Sequence, residues 1–241
     1  MLPFLLLSHR PEDDAAAAEY QSFRTLMGLG PADLVQVRMN LEPRPAVDFS
    51  EYSGIILGGG PFNNTDVNKS DIQIAVENYL NPIVLQAIER DFPFFGACYG
   101  IGVIGSLIGA TVNRVYGEKP ACINATVTDA GAADPVLAGM PKEFDTLVGH
   151  VEAIETLPGH ATHLISGADC PVQMFKVGSN VYATQFHPEL ELETFIQRLK
   201  IYANNGYYEP HEYDEIVAGA AAANLETDNL ILRNFAEVYA R

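Results

Sequence analysis

Cys98 lies in the segment of this sequence best suited to covalent chemistry, Gly96-Ala97-Cys98-Tyr99-Gly100. Residues 92–97 before it are apolar and predict a strand, and residues 101–108 after it predict a helix. A nucleophile on such a sharp turn needs glycine two positions away on each side, because larger side chains would collide there. The first amides of the helix point at the sulfur and favour the thiolate. Cys98 is therefore the candidate nucleophile; the alternative is a structural cysteine in a glycine-rich crossover.

Two His-x-Glu segments could supply a general base with its carboxylate, His187-Pro188-Glu189 and His150-Val151-Glu152. Residues 181–186 predict a strand that ends at His187, and residues 147–154 predict a strand around His150. Side chains two residues apart in extended backbone leave on the same side, so the carboxylate can hold the imidazole in one tautomer. The spacing alone does not choose between the two histidines.

The glycine run Gly58-Gly59-Gly60-Pro61 follows a predicted strand over residues 54–57. Such a run is more often a simple turn, but it also lets backbone amides approach a ligand closely. Beside a nucleophilic cysteine, such a glycine run is suited to form part of an oxyanion hole. The amides of Gly60 and Tyr99 would together bind the oxyanion of a tetrahedral intermediate.

The sequence predicts no cofactor, no metal and no disulfide framework. No set of histidines has metal-ligand spacing, and no Cys-x-x-Cys pair is present. The cysteines, Cys98, Cys122 and Cys170, have no regular spacing. The histidines outside the two His-x-Glu segments read as surface or packing residues: His9, His160, His163 and His211.

Short apolar runs alternate with helical patterns, which is typical of a parallel sheet covered by helices. The first half predicts strands at 3–8, 34–39 and 54–57 and helices at 12–28 and 72–90, the second helix divided in two if Pro82 breaks it. Between 122 and 186 the runs are shorter and rich in β-branched and aromatic residues, which predicts further strands and hairpins. We therefore predict an α/β fold: an open, mostly parallel sheet flanked by helices, flavodoxin-like and three-layered, with an added antiparallel portion.

The composition argues against two classes of partner. The chain has 241 residues, with 14 Lys and Arg against 31 Asp and Glu, a formal net charge of −17. Such a surface repels phosphate backbones and anionic lipid, so neither nucleic acid nor membrane is an expected partner. The apolar residues 2–7 are too few to span a bilayer and lack the flanks of a signal peptide. They predict a buried strand and, by default, a cytoplasmic protein.

In this order, the three segments resemble the class I glutamine amidotransferases, and they look closest to the amidotransferase half of GMP synthases. The family pattern is a Gly-Gly-Pro loop, a Gly-x-Cys-x-Gly turn and a closing Phe-His-Pro-Glu. This chain has all three, the last as Phe186-His187-Pro188-Glu189. The resemblance covers the chain to about Arg198, and residues 232–235 resemble the family's final helix. It divides the chain into an amidotransferase domain over residues 1–203 and a helical extension over 204–241 packed on the same domain.

The resemblance implies a role for each catalytic residue. Cys98 would attack the side-chain amide of glutamine, and His187 would pass a proton to the leaving ammonia. Glu189 would orient His187, while the amides of Gly60 and Tyr99 would supply the oxyanion hole. Water would then release glutamate from the thioester.

The resemblance also separates the two histidines, because the family's catalytic histidine precedes Pro-Glu, as His187 does. Residues 149–151 then correspond to a strand whose backbone helps to hold the bound glutamine. The implied substrate-binding residues are Gly59, Gly102, Gly149, His150 and Val151.

Two departures from the family bear on the substrate. Relatives usually carry Gln four residues after the nucleophile, where it binds the α-amino-acid end of the substrate, whereas this chain has Gly102. The asparagine-rich loop 62–68 could supply a replacement amide. Alternatively, the vacant volume could hold the rest of a γ-glutamyl peptide, or a neighbouring side chain could fill it. In addition, about forty residues, 190–229, separate the His-Pro-Glu from the last helix, more than the GMP synthases use.

Three functions are therefore open. The first is a stand-alone amidotransferase subunit that takes glutamine and delivers ammonia to a synthase partner, since no ATP-pyrophosphatase domain follows. The second is a hydrolase or transferase of γ-glutamyl peptides or conjugates, which Gly102 keeps open. The third is a catalytically inactive homologue that binds a ligand or a partner protein. The intact set of Cys98, His187 and Glu189 argues against the third.

Overall fold

A computed structural model of the protein describes residues 1–203, 206–225 and 227–241. Its strands, in chain order, are β1 (Phe4–Ser8), β2 (Leu34–Arg38), β3 (Ile55–Leu57), β4 (Phe94–Ala97), β5 (Thr111–Asn113), β6 (Glu118–Val127), β7 (Glu143–His150), β8 (Ala153–Thr156), β9 (Ala161–Gly167), β10 (Met174–Val177) and β11 (Val181–Thr184). Its α-helices are α1 (Asp13–Leu26), α2 (Asp71–Glu89), α3 (Tyr99–Leu107), α4 (Asp129–Ala132), α5 (Leu192–Ile201), α6 (Tyr213–Ala222) and α7 (Asn229–Tyr239).

The large sheet has the strand order β2-β1-β3-β4-β11-β10-β9-β6-β7. From β2 to β11 all neighbouring strands are parallel. From β11 to β7 all neighbours are antiparallel. The predicted α/β fold, an open parallel sheet with an added antiparallel portion, is confirmed. The carboxyl ends of β3, β4 and β11 meet at one edge, which is where sites assemble in such sheets.

Helices cover both faces of the parallel strands, because successive side chains of a strand point to opposite faces. On β1, Phe4 and Leu6 pack in the core that α1 and α7 complete. Leu5 and Leu7 pack in a second core, formed with α2 and α3. This arrangement confirms the predicted three layers and explains why β1 is apolar at every one of these positions.

Residues 147–154 form parts of two strands, not the single strand that the sequence predicted. β7 ends at His150, and β8 begins at Ala153 in a separate two-stranded sheet with β5. Between them, the Glu152 carboxylate accepts hydrogen bonds from the amides of Asn64 and Thr65, each at 2.8 Å. These contacts hold the chain away from the large sheet at this point.

α2 continues through Pro82 as one helix. A proline inside a helix costs about 3 kcal/mol, because it removes a hydrogen bond and crowds the preceding turn. Leu80, Ile83 and Val84 beside it are all buried in the core under the sheet. Burial of each such side chain stabilises the fold by roughly 1.5–3 kcal/mol, which exceeds the cost of the proline.

The last helix returns to the core of the sheet. Ile231, Leu232 and Phe235 of α7 are fully buried beside the first strands. The predicted boundary between residues 203 and 204 adjoins positions 204 and 205, which lie outside the described residues. Among the residues that are described, no helix combines the length and the apolar character of a membrane span.

Candidate active site

Cys98 occupies the turn between β4 and α3, with φ 50° and ψ −86°, and it lines a cavity at the edge of the sheet. Its amide donates to the carbonyl oxygen of Thr184 at 2.7 Å, which ties the turn to the strand that leads to His187. A Cβ on Gly96 would lie only 2.9 Å from Cα of Gly100. The backbone therefore approaches too closely for a larger residue at position 96, as predicted. A Cβ on Gly100 would meet only Leu57 Cδ2 at 3.7 Å, so the collision predicted at position 100 is not found.

His187 follows β11 and lines the same cavity. Its Nδ1 lies 2.8 Å from Oε1 of Glu189, so the ring donates this proton to the carboxylate and keeps Nε2 for the cavity. Burial acts to lower the pKa of His187, but the charges of Glu189 and Cys98 outweigh it and raise the pKa to about 9. At neutral pH the ring is a protonated acid beside the cysteine.

Two buried arginines and Glu19 extend this pair into an ionic network. Arg198 Nη1 donates to Glu189 Oε1 at 2.8 Å, and Arg10 Nε donates to Glu19 Oε1 at 2.8 Å. Arg198 Nη2 lies 4.0 Å from the same Glu19 oxygen, so Arg198 stands between the two carboxylates. Burial would raise the pKa of Glu189, but His187 and Arg198 hold it well below its usual range. Each carboxylate is thus matched by a guanidinium.

The two predicted oxyanion donors lie close to the nucleophile. Gly60 lines the cavity together with Cys98, and a Cβ at Gly60 would collide with the imidazole of His9. Tyr99 is the first residue of α3, and amides in the first turn of a helix have no acceptor within it. Both amides therefore stay candidates for binding an oxyanion.

His9, which no pattern in the sequence singled out, supports this region. It is fully buried and lies with its ring centroid 5.2 Å from that of Phe62 and 4.5 Å from that of Tyr99. Burial and then the charge of Arg10 lower its pKa to about 3, so the ring is neutral. Within the described parts of the chain neither ring nitrogen has a hydrogen-bond partner. His9 acts by packing beneath Gly60. The one sequence signal that could have indicated this role is the position of His9 just after β1.

The predicted substrate-binding residues fall into two groups. Gly149 lines the cavity. Gly59 adjoins it, because a Cβ there would lie 2.9 Å from His187 Cε1 and 3.5 Å from Cys98 Cβ. Among the described residues, the lining of the cavity does not include the other three: Gly102, His150 and Val151.

Gly102 faces the carboxylate of Glu152, with which any Cβ at position 102 would collide. This carboxylate holds the amides of Asn64 and Thr65, and the side-chain amide of Asn64 donates to Ser106 Oγ at 2.6 Å. The space beside Gly102, where the resemblance implied a substrate-binding Gln, is therefore filled by Glu152. The amide of Asn64 is committed elsewhere and does not replace that Gln.

His150 faces away from the nucleophile. Its Nδ1 lies 3.0 Å from the carbonyl oxygen of Glu152, and its Nε2 lies 2.8 Å from Glu118 Oε2. Both ring nitrogens therefore face oxygen acceptors, and neither is placed to take a proton from Cys98.

The structure also brings together one potential metal-binding group, which the spacing of the sequence did not indicate. Among the described residues, ligand atoms of Glu118, His150 and Cys170 lie within 4.8 Å of one another. Gln173 Nε2 donates to the same Glu118 oxygen as His150, at 2.7 Å. That oxygen is already used by two hydrogen bonds, so the group has the character of a buried polar network.

The other two cysteines are poorly suited to act as nucleophiles. Burial raises the pKa of Cys170 to about 12, and burial with the nearby Asp145 raises that of Cys122 to about 11. Both thiols stay protonated at neutral pH, and the thiol form is unreactive. All three cysteines are free.

The segment after the His-Pro-Glu forms a roof over the cavity. This roof consists of the lining residues Phe195 and Leu199 of α5 and Tyr202, Tyr207 and Tyr208 just beyond it. Tyr208 donates its hydroxyl to the carbonyl oxygen of Leu199 at 2.8 Å, which fixes the loop to the helix. The residues that follow the His-Pro-Glu therefore shape the candidate active site.

A cysteine on a strand-to-helix turn beside a buried histidine–carboxylate pair is the arrangement of cysteine-nucleophile enzymes. The family model of class-I glutamine amidotransferases matches residues 14–201, a span that contains all of these groups. The chain belongs to the class-I glutamine amidotransferase family, whose members are cysteine-dependent amidotransferases.

Individual relatives agree with this assignment. The chain is 29% identical over 161 residues to a GMP synthase [glutamine-hydrolyzing] subunit from Methanococcus maripaludis, covering 66% of this chain and 75% of the relative. The protein of the same name from Methanococcus vannielii is 30% identical over 169 residues, covering 69% and 79%. A glutamine amidotransferase structure from Thermotoga maritima superposes with a TM-score of 0.79 over 99% of this chain and 97% of that one. At 16% identity, this last likeness shows the fold alone.

Proposed function

We propose that this chain hydrolyses the side-chain amide of glutamine through Cys98, His187 and Glu189 and delivers the ammonia to a separate synthase. The observation that carries the proposal is the 2.8 Å contact between His187 and Glu189, with Cys98 and His187 in the wall of one cavity. Both Methanococcus relatives are named as one subunit of a glutamine-hydrolysing GMP synthase, which supports a separate partner for the acceptor chemistry.

The reaction begins with attack of the Cys98 sulfur on the amide carbon, which forms a carbon–sulfur bond and an oxyanion. The amides of Gly60 and Tyr99 would stabilise this oxyanion. His187 gives its proton to the nitrogen, the carbon–nitrogen bond breaks, and ammonia leaves. Water then loses a proton to His187, attacks the thioester and releases glutamate and the thiol. Glu189 stabilises the imidazolium whenever His187 is protonated.

A second candidate function is the hydrolysis or transfer of γ-glutamyl peptides or conjugates. The observation that favours it is the occupation of the family's glutamine-binding position by Glu152, which any side chain at Gly102 would meet. The contact that relatives make with the α-amino-acid end of glutamine is therefore missing from this place, and the cavity continues instead under the roof.

Incubation of the purified chain with glutamine and a panel of γ-glutamyl peptides tests both candidates, with glutamate and ammonia or amine release as the measurement. We expect release from glutamine, abolished in Cys98→Ala and unaffected in the matched control Cys122→Ala. Release from peptides alone would favour the second function. Binding without any release would identify a catalytically inactive homologue.

A further inference from the structure

We propose that the cavity contains a leaving-group subsite in which Arg10 binds a carboxylate carried by the departing amine. The substrates of this subsite would be γ-glutamyl amides of amino acids or of other amino carboxylates. The inference rests on the second candidate function above, in which the Cys98 thioester chemistry acts on a γ-glutamyl conjugate, and it specifies which amine leaves.

Arg10 brings an incompletely used guanidinium to the cavity. Its side chain is almost fully buried, and it lines the cavity. Its Nε donates to Glu19 and its Nη1 donates to the hydroxyl of Tyr202 at 3.0 Å. Its Nη2 makes no hydrogen bond to any part of the chain that the structure describes. The N–H groups of Nη2 are therefore available to a carboxylate, the acceptor that guanidinium groups bind best.

Nη2 lies on the side of the nucleophile from which the amine departs. A Cβ placed on Gly59 would be close to all three groups. It would lie 3.3 Å from Arg10 Nη2, 2.9 Å from His187 Cε1 and 3.5 Å from Cys98 Cβ. His187 has to reach the departing nitrogen in order to protonate it, so the leaving group lies between Cys98 and His187. Arg10 adjoins both of them and therefore faces the leaving group.

The roof supplies this subsite with an apolar wall and a second polar group. Leu199 and Tyr202 line the cavity next to Arg10, and Tyr207 joins them. Burial and the nearby Cys98 raise the pKa of Tyr207 to about 12, so its phenol keeps a proton to donate. Ammonia as a leaving group would need neither this apolar wall nor a cation. An amine with a short chain and a carboxylate uses both.

The charges around the subsite are balanced and leave room for one further anion at Arg10. The two guanidinium groups of the network are matched by Glu19 and Glu189, and the carboxylate of Glu12 accepts from the Tyr202 hydroxyl and not from Nη2. Elsewhere, the net charge of −17 repels anions. A carboxylate that enters this cavity loses its hydration, which costs free energy. A donor such as Arg10 Nη2 offsets that cost.

Two substrates with the same number of carbon atoms, one with and one without a carboxylate on the leaving amine, isolate the effect of that carboxylate. γ-Glutamylglycine and γ-glutamylethylamide differ in the leaving amine, which is glycine in the first and ethylamine in the second. For both, the carbon–sulfur bond forms, the carbon–nitrogen bond breaks, and His187 protonates the amine. With the wild-type chain, we expect kcat/KM for the glycine conjugate to be about tenfold higher or more, the value of one charge-assisted hydrogen bond. A ratio of one or less would overturn the proposal without any variant.

Two variants assign the preference to the guanidinium. Arg10→Gln should bring the ratio to about one. Glu19→Gln breaks the same Arg10–Glu19 ion pair but keeps the guanidinium, so it should keep the preference even if both rates fall. Equal loss of the preference in both variants would show a merely structural role for Arg10 and overturn the proposal.

Binding to Cys98→Ala, measured by calorimetry with the same two compounds, separates this inference from the proposed function. Tighter binding of γ-glutamylglycine supports the subsite even if the wild-type chain releases no product, in which case the proposed function alone has failed. Release of ammonia from glutamine together with equal binding of the two conjugates would leave the proposed function standing and overturn the subsite.

Discussion

The segments His187-Pro188-Glu189 and His150-Val151-Glu152 have the same spacing, and each lies at the end of a strand of the same sheet. In the first, the carboxylate contacts its own histidine at 2.8 Å. In the second, the histidine and glutamate side chains contact different partners. Glu152 binds the amides of Asn64 and Thr65, while the ring of His150 contacts another carboxylate.

The difference lies in the neighbours of each segment. Arg198 approaches Glu189 to 2.8 Å and fixes the carboxylate beside His187. At His150, Nδ1 faces the backbone carbonyl oxygen of Glu152 and Nε2 faces Glu118, so the Glu152 carboxylate is left to hold a loop. In this chain, a His-x-Glu segment forms a histidine–carboxylate pair where a third group holds the carboxylate against its own histidine.

The largest contrast should come from the histidines. His187→Asn removes the acid that protonates the leaving group, so we expect kcat to fall by about a thousandfold or more. His150→Asn leaves the nucleophile and the base in place and should mainly raise KM, because β7 carries Gly149 into the cavity wall. Steady-state glutaminase kinetics measure both. If His150→Asn lost the greater activity, the assignment of the two segments would be reversed.

The carboxylates should differ less. Glu189→Gln keeps the shape of the pair but removes the charge that stabilises the imidazolium, so kcat should fall about ten- to a hundredfold and stay above that of Cys98→Ala. Glu152→Gln keeps an acceptor for only one of the two loop amides and should raise KM several-fold with kcat nearly unchanged. Unchanged kinetics in Glu189→Gln would show that another group holds His187.

The pH profile offers a third contrast. Glu189 and Cys98 keep the pKa of His187 at about 9 against the effect of burial, above the ordinary 6.5. The stabilisation from its imidazolium is thus complete below pH 6.5 and is lost as the pH rises through 9. We expect kcat/KM to fall about tenfold per pH unit above 9, while alkylation of Cys98 by iodoacetamide does not fall, because it needs only the thiolate. His150→Asn should leave this fall of kcat/KM above pH 9 unchanged. A fall that begins near pH 7 would contradict the raised pKa of His187.

The smallest effect should come from restoring the family's Gln. Gly102→Gln would collide with Glu152, so the free energy of unfolding should fall by roughly 1–3 kcal/mol. Combining Gly102→Gln with Glu152→Ala removes the collision and should lower KM for glutamine a few-fold relative to Glu152→Ala alone. Thermal unfolding and glutaminase kinetics check the two steps. A fully stable single variant would show that Glu152 does not fill this space.

The sequence predicted the parts of the site that are determined locally. The turn at Cys98 needs glycine at 96, only two residues from the nucleophile in the chain, so this part of the pattern is readable. The alternating strands and helices were readable for the same reason, since each element shows its own periodicity. The choice of His187 over His150 needed the resemblance to a family, because both have the same local pattern.

The remaining features depend on pairs of charged residues, which a sequence offers in many combinations. Arg198 lies nine residues from Glu189 in the chain and far from Glu19, yet it contacts both. Glu152 meets Gly102 only because α3 and the end of β7 come together in the fold. Nothing in the local pattern selects these partners, so the network and the filled volume had to come from the structure.

The backbone of Cys98, at φ 50°, has a consequence for the evolution of the chain. A side chain in this left-handed region costs roughly 1 kcal/mol or more relative to glycine, because its Cβ crowds the backbone. Selection for heat resistance alone would therefore favour glycine at position 98, and selection for turnover would oppose it. A library of variants screened only for survival at high temperature should lose the nucleophile among its first changes, so a thermostable descendant has to be selected for both properties at once.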